Sequence, residues 1–470
     1  MQAVLRTIKI LDLSPLHEAY RGTGSKPYRP ELMLAIALVE ILLGETSPAR
    51  WHLDAKTRDQ CKFLGRGITP SRTAWYDFRD RAGKFIESVH QQLVQHALAN
   101  ELINPCECSI DGTLTSASAS RHKIFNLKQI NRRRSQLKRV IKTLDDPSQT
   151  SAKQALSSTP KWIAVTAQGR ARQHSSYGLA KLRLLENIRE NRSKHCRYRR
   201  DESRMVISPA DVDAVIGKDK LHVVRPLYNS QFLTDCNSDI TIAYGVWAQN
   251  NDNGTLAPMI QSFHKIASRR LTTLHADSGY CSILDIKDCK SLGVDLLAPV
   301  QDNPSAKRKL ENGEIQIPSS EFTFDDEKGS LTCPAGHVMK RVREVQVPRA
   351  CGRTVGEIRF EQSVSHCSSC PLASRCLGKG AKRRTVSRQS EQPLLDAQNE
   401  KMLGPAGKRS RVLRAQTIER RFADGKQHRN QNQQNGRGLR RVRAEVGMLV
   451  VAQNTIALHN LEKQKKNTTQ

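Results

Sequence analysis

Over residues 1–104 the apolar positions recur at helical spacing. Pro30-Glu31 opens the run LMLAIALVEILL, which Gly44 stops; proline is favourable at a first helical position. Thr69-Pro70-Ser71 marks another start before RTAWYDFRDR. Phe85, Val89 and Leu93 follow at four-residue spacing, on one helical face. The pattern then changes. PCECSIDG, at 105–112, reads as a short strand ending in Asp111. Residues 228–248 read as two strands, the second being DITIAYGVWA after the turn-like Asn237-Ser238. LAPMIQSFHKIA is then helical, LTTLHAD strand-like, SILDIKDCKSLG helical and VDLLAPV strand-like. This alternation predicts an α/β sheet with helical crossovers. Residues 301–412 break the pattern with scattered cysteines, a Gly/Pro-rich stretch and the basic tract AKRRTVSR. Residues 413–462 return to helix, with Val446, Leu449, Val450 and the stretch from Gln453 to Leu458 as a core-facing stripe.

Composition narrows the class. In a chain of 470 residues, 37% are hydrophobic, which is low for a globular protein but too high for a disordered one. Lys and Arg number 76 against 46 Asp and Glu, a formal net charge of +30. Such self-repulsion makes sense with a polyanionic partner. Aromatics are only 5%, so the expected partner is a duplex backbone rather than stacked single-stranded bases. The excess concentrates in residues 121–200, with 21 Lys and Arg against 4 Asp and Glu. INRRRSQLKRVIK and LAKLRLLENIRENRSKHCRYRR read there as basic helices joined by the Ser/Thr/Gln-rich stretch 147–160. The first twenty residues do not resemble a signal peptide, and no apolar run is long enough to span a membrane. A cytoplasmic, nucleoid-associated protein is expected. The 12 cysteines are then reduced thiols or metal ligands, not a disulfide framework.

Three carboxylates stand out. Asp111 and Asp277 each end an apolar strand, in SIDG and in LTTLHAD before Ser-Gly-Tyr. Each alone is an ordinary turn residue; at the ends of two strands of one sheet they can converge. Glu419, in RAQTIERRFADGKQH, lies seven residues before Lys426. That is about two helical turns, so both share a face. The plain alternative is an exposed Glu/Arg-rich helix surface. Three carboxylates suit phosphodiester chemistry, because two Mg²⁺ or Mn²⁺ ions about 3.5–4 Å apart can activate a nucleophile and neutralise the transition state, and hard ions demand oxygen ligands. Asp111 would bridge, with Asp277 on one ion and Glu419 on the other. Lys426, Arg420 and Arg421 beside them, and Arg132, Arg133 and Arg134 of the basic run, are the candidate DNA-backbone contacts. Cys333 with Cys367, Cys370 and Cys376 of HCSSCPLASRC could bind structural Zn²⁺; Cys351 or His366 could replace one ligand, and reduced cysteines in a loop-rich insert are the alternative. Cys106, Cys108, Cys281 and Cys289 read as packing residues, and His275 shares a strand face with Asp277.

These segments together resemble the DDE transposases of bacterial insertion sequences. SIDGTLTSASASRHK is similar to the segment with the first catalytic Asp. YNSQFLTD and ITIAYGVWAQNNDNGTLAPMI resemble the second and third strands and the helix after them. LHADSGYCSILDIKDCKSLGVDLLAPV resembles the second-Asp segment. IERRFADGKQHRN and NGRGLRRVRAEVGMLVVAQNTIALHNLEK resemble the segment with the catalytic Glu and its companion lysine. Relatives often carry a Tyr and an Arg seven and four residues before the Glu; here those positions are Val412 and Ala415, and Arg414 is one position off.

The resemblance implies an α/β, RNase H-like mixed sheet flanked by helices. A helical N-terminal domain at 1–104 would help bind terminal inverted repeats. The core would occupy 105–300, with a basic helical insertion at about 114–225. A small Cys-rich insertion and basic linker would fill 301–412, the Glu419 helices 413–462, and a polar tail 463–470. The expected reaction is metal-assisted hydrolysis at the element's ends, then transfer of the freed 3′-OH to target DNA, in a homodimer or larger synaptic complex. A nuclease of the same fold, and a transposase-derived DNA-binding protein without catalysis, are the alternatives.

Overall fold

The computed structural model describes residues 1–20, 28–144, 159–301, 317–325, 327–349 and 351–469. Most of the Ser/Thr/Gln-rich stretch at 147–160 lies outside them. The chain forms two compact units, Met1–His275 with Arg411–Gln470, and Ala276–Ser410. Both mix helix with sheet, so the chain is mixed α/β.

Among the described residues, the first unit begins with seven helices between Gln2 and Ala99. The helix Pro30–Leu42 is apolar all round and almost wholly buried, as such a pattern requires. Gly44, at φ +83°, follows its end. Ser71 caps the helix Arg72–Ala82 by accepting from the Ala74 amide. Trp75, fully buried, meets Trp51 and Phe78 edge-on at centroid separations of 5.7 and 5.9 Å.

The sheet of this unit contains β1 (Glu107–Ser116), β4 (Val215–Lys218), β5 (Val224–Asp235), β6 (Thr241–Trp247) and β7 (Thr273–His275); the short pair β2 (Phe125–Asn126) and β3 (Val206–Ile207) stands apart. The order is β4-β5-β1-β7, with β6 also on β5. β1 runs antiparallel to β5 and parallel to β7. The expectation that Asp111 ends its strand is corrected here: β1 continues to Ser116, with Asp111 opposite Phe232 and Ser116 opposite Leu227. Gly112 does not turn the chain. A Cβ there would lie 2.1 Å from Gln231 Nε2 and 2.3 Å from Asp252 Oδ1, so glycine allows a close approach within a straight strand.

Between β1 and β4 the basic segment builds its own small core. The helices Leu127–Leu144 and Ala167–Ser193 enclose Ile130, Tyr177, Leu184 and Ile188 with Phe125 and Ile207 of β2 and β3. The helix Leu439–Thr469 packs on the helices Pro30–Leu42 and Ile86–Ala99 and on β6. Its Asn454 clamps the start of β6, accepting from the Thr241 amide and donating to the Thr241 carbonyl, both at 2.9 Å.

His90 is wholly buried beside these groups, with Nε2 2.8 Å from the Thr241 carbonyl and its ring edge-on to Tyr244. Burial pulls its pKa down to about 4, against the pull of the Thr241 bond. The unfolded chain therefore takes up this proton near pH 6.5 and the folded chain only near 4. Stability is lost as pH falls through that window, by about 3 kcal/mol for this group. Urea unfolding at pH 7.5 and 4.5 should show a shallower acid loss in His90→Asn than in wild type. Equal losses in both proteins would remove His90 as the cause.

The second unit holds β8 (Asp295–Leu297) and an antiparallel sheet of β9 (Thr323–Asp325), β10 (Ser330–Thr332), β11 (Val338–Pro348), β12 (Thr354–Glu361) and β13 (Thr385–Gln389) in sequential order. Phe322, Leu331, Met339, Phe360 and Val386 form its core. This sheet lies within 301–412, the stretch read from sequence as a Cys-rich insertion and basic linker. The helix Ile283–Ser291 opens on a reciprocal capping box between Ser282 and Asp285. Cys289 is buried on it; Cys281, also buried, precedes it rather than lying on it. Among the described residues no helix is long and apolar enough to cross a membrane.

Candidate functional site

Asp111 lies mid-strand on β1 with its side chain 18% exposed. Its Oδ1 accepts from the Gly112 amide at 2.7 Å, and its Oδ2 lies 3.3 Å from Arg414 Nη2. The same Arg414 nitrogen is 3.8 Å from Glu419 Oε1. One guanidinium thus stands between two of the three predicted carboxylates.

How Arg414 reaches Glu419 depends on the helix. Five residues apart on an α-helix, two side chains diverge by about 140°. Residues Ala415–Glu419 instead form a π-helical turn between the helices Pro405–Arg414 and Arg420–Gln427. Its i→i+5 bonding takes up one extra residue, so Arg414 lies beneath Glu419 as a residue four back would on a regular helix. The Thr417 hydroxyl donates to the Leu413 carbonyl at 2.6 Å, serving a carbonyl at the widened turn.

The helix Arg420–Gln427 is seated by an aromatic contact. Phe422 stacks on Phe232 with centroids 4.9 Å apart, and Phe232 is the cross-strand partner of Asp111. Glu419, Phe422 and Lys426 share one helical face, so this contact aims both charged groups along the strand that carries Asp111. Lys426 is held below the ordinary lysine range by burial and then by Lys220, with Asp111 pulling the other way. Lys220, in the turn between β4 and β5, was not foreseen; nothing in the local sequence places it there.

The predicted cationic contacts divide into two sets. Arg132 is exposed. Arg133 lies over the Phe125 and Trp162 rings at 4.2 and 4.6 Å and donates to the Tyr177 hydroxyl at 3.1 Å, so it holds the basic segment together. Arg134 is half-buried, with its Nε enclosed. Arg420 is exposed and ion-paired with Asp239. Arg421 is 8% exposed, donating to the Asp239 carbonyl and, at 3.0 Å, to Asn454 Oδ1. Burial lowers its pKa to about 10, so it remains a cation at neutral pH.

Asp277 belongs to the second unit. β7 ends at His275, so Asp277 lies past the strand and caps the turn Ser278–Tyr280, its Oδ1 accepting from the Gly279 amide at 2.7 Å. Strand alternation therefore does not pair it with His275, which is buried with Nε2 3.0 Å from Glu107 Oε1. Cys333, Cys367, Cys370 and Cys376 line one cavity of the second unit with His337 and His366, whose rings stack 4.6 Å apart. Among the described residues, however, no group of three or more His, Cys, Asp or Glu side chains is gathered so as to hold a metal ion. Cys376 also packs within the sheet's apolar core.

In this α/β unit a strand of the sheet carries one carboxylate beside a helix turn that bears a second, with cations around both. Residues 332–459 match the family described as Transposase DDE domain. The chain resembles DDE transposases, which supports a transposase-type function. The matched stretch includes Glu419, Lys426 and the four cysteines but neither aspartate. None of the curated proteins compared with the chain matches it.

Proposed function

We propose that the chain is the DNA transposase of an insertion sequence, with an RNase H-like core whose Asp111, Asp277 and Glu419 hold divalent cations. The observation that carries this reading is the pairing of Asp111 with Glu419, far apart in sequence, across one guanidinium. The donors are carboxylate oxygens, the ligand type that a hard metal ion takes. When bound, Mg²⁺ or Mn²⁺ would polarise the scissile phosphate and ready a water or 3′-OH for attack.

The chain's own residues do the rest. Gly112 fixes the Asp111 carboxylate through its amide, and Phe422 holds the Glu419 helix on the sheet. Lys426 is poised to grip a phosphate beside the carboxylates. Arg132 and Arg420 face solvent and would follow the DNA backbone. Terminal inverted repeats and target DNA are the proposed substrates. Two ends must meet, so a dimer or larger complex is the proposed working form.

The test is cleavage of duplex DNA carrying the element's own end by the full chain, with Mg²⁺ or Mn²⁺ and with EDTA. Metal-dependent cutting at the end that releases a 3′-OH, followed by joining to a second duplex, is expected. Cutting without joining would leave a nuclease. A protein that binds the ends but cuts with neither metal would overturn the catalytic reading.

A further inference from the structure

Arg414 is an unusual partner for two carboxylates. A permanent Arg–carboxylate pair normally uses two parallel N–H groups as a fork. Here Nη2 lies 3.3 Å from Asp111 Oδ2 and 3.8 Å from Glu419 Oε1. Its Nε is enclosed and has no acceptor among the described residues, and the side chain is 14% exposed. The guanidinium hydrogen-bonds Asp111 through Nη2 and lies at the longer distance of 3.8 Å from Glu419. The π-turn that brings it there carries its own bond from the Thr417 hydroxyl to the Leu413 carbonyl, which would keep the charge nearby when Nη2 lets go.

We propose that Arg414 is a resident counter-ion for the Asp111–Glu419 pair and competes with divalent cations for it. This rests on the proposed metal-binding role of these carboxylates. In the metal-free protein the guanidinium suppresses repulsion between the two acids. Cation binding displaces it and frees its donors for a DNA phosphate, so metal and DNA strengthen each other's binding through one side chain, as reciprocity requires.

The experiment is Mn²⁺ titration of the full-length protein without DNA, followed by electron paramagnetic resonance, for wild type, Arg414→Gln, Arg414→Lys and Asp111→Asn. Arg414→Gln is expected to bind Mn²⁺ at least about fivefold more tightly than wild type, the lower end of ordinary coupling. Arg414→Lys, which keeps a charge, should stay near wild type. In EDTA, Arg414→Gln should melt earlier than wild type, and Mn²⁺ should raise its melting temperature by more. Arg414→Met, of similar length, replaces the Gln variant if that protein does not fold. If Asp111→Asn loses Mn²⁺ while Arg414→Gln binds it no better than wild type, the counter-ion role is wrong and the metal site survives. If Asp111→Asn binds Mn²⁺ like wild type, the metal is elsewhere and both readings fall.

Discussion

Asp111→Asn is expected to lose DNA cleavage by about a hundred- to a thousandfold, the scale found when a group acting on transition-state charge is removed. Asparagine keeps the size of the side chain and an oxygen for the Gly112 amide, 2.7 Å away in the native protein. The strand should therefore be undisturbed, and only the negative charge is lost. Binding to end DNA should stay close to wild type or tighten slightly, because one repulsive charge is gone. Single-turnover cleavage at saturating protein, read beside a mobility-shift titration, separates the two effects. Glu419→Gln and Asp277→Asn should behave alike. An Asp111→Asn protein that cuts within tenfold of wild type would take Asp111 out of the site.

Arg421→Met should cost about 2–4 kcal/mol of stability, although Arg421 is one of the basic residues that charge alone marks for DNA. The Asp239 carbonyl and the Asn454 side chain would each lose a buried donor. Asn454 also clamps β6, and Gln453 donates to the Arg421 carbonyl at 3.2 Å. The loss would loosen the helix that carries Glu419 and Lys426. Urea unfolding measures the stability term. The slope of DNA affinity against salt measures phosphate contacts and should not change. Unchanged stability with a salt slope smaller by about one would make Arg421 a phosphate contact.

The division between what could and could not be read from sequence has physical causes. Alternating α and β patterns were legible between 228 and 300 because those segments bury one face or both, so their apolar periods are clean. β11 was not legible because most of its side chains are exposed, and charged residues fill positions that a buried strand would keep apolar. Asp111-Gly112 read as a turn because the reason for the glycine, close approach of Gln231 and Asp252, comes from distant residues. For Arg133 and Arg421, sequence shows the charge but not the rings and carbonyls they meet. Glu419 and Lys426 were legible as a pair, since a two-turn spacing sets a common face whatever lies opposite.

The π-turn also bears on how this chain compares with the DDE transposases it resembles. Anchored on Glu419, an ungapped alignment sets Ala415 against a position where relatives often carry arginine. The widened turn sets Arg414 beneath Glu419, in the place that a residue four back would take on a regular helix. A residue counted five back in sequence can therefore act here as one counted four back would on an unbroken helix, and spacing alone misplaces it.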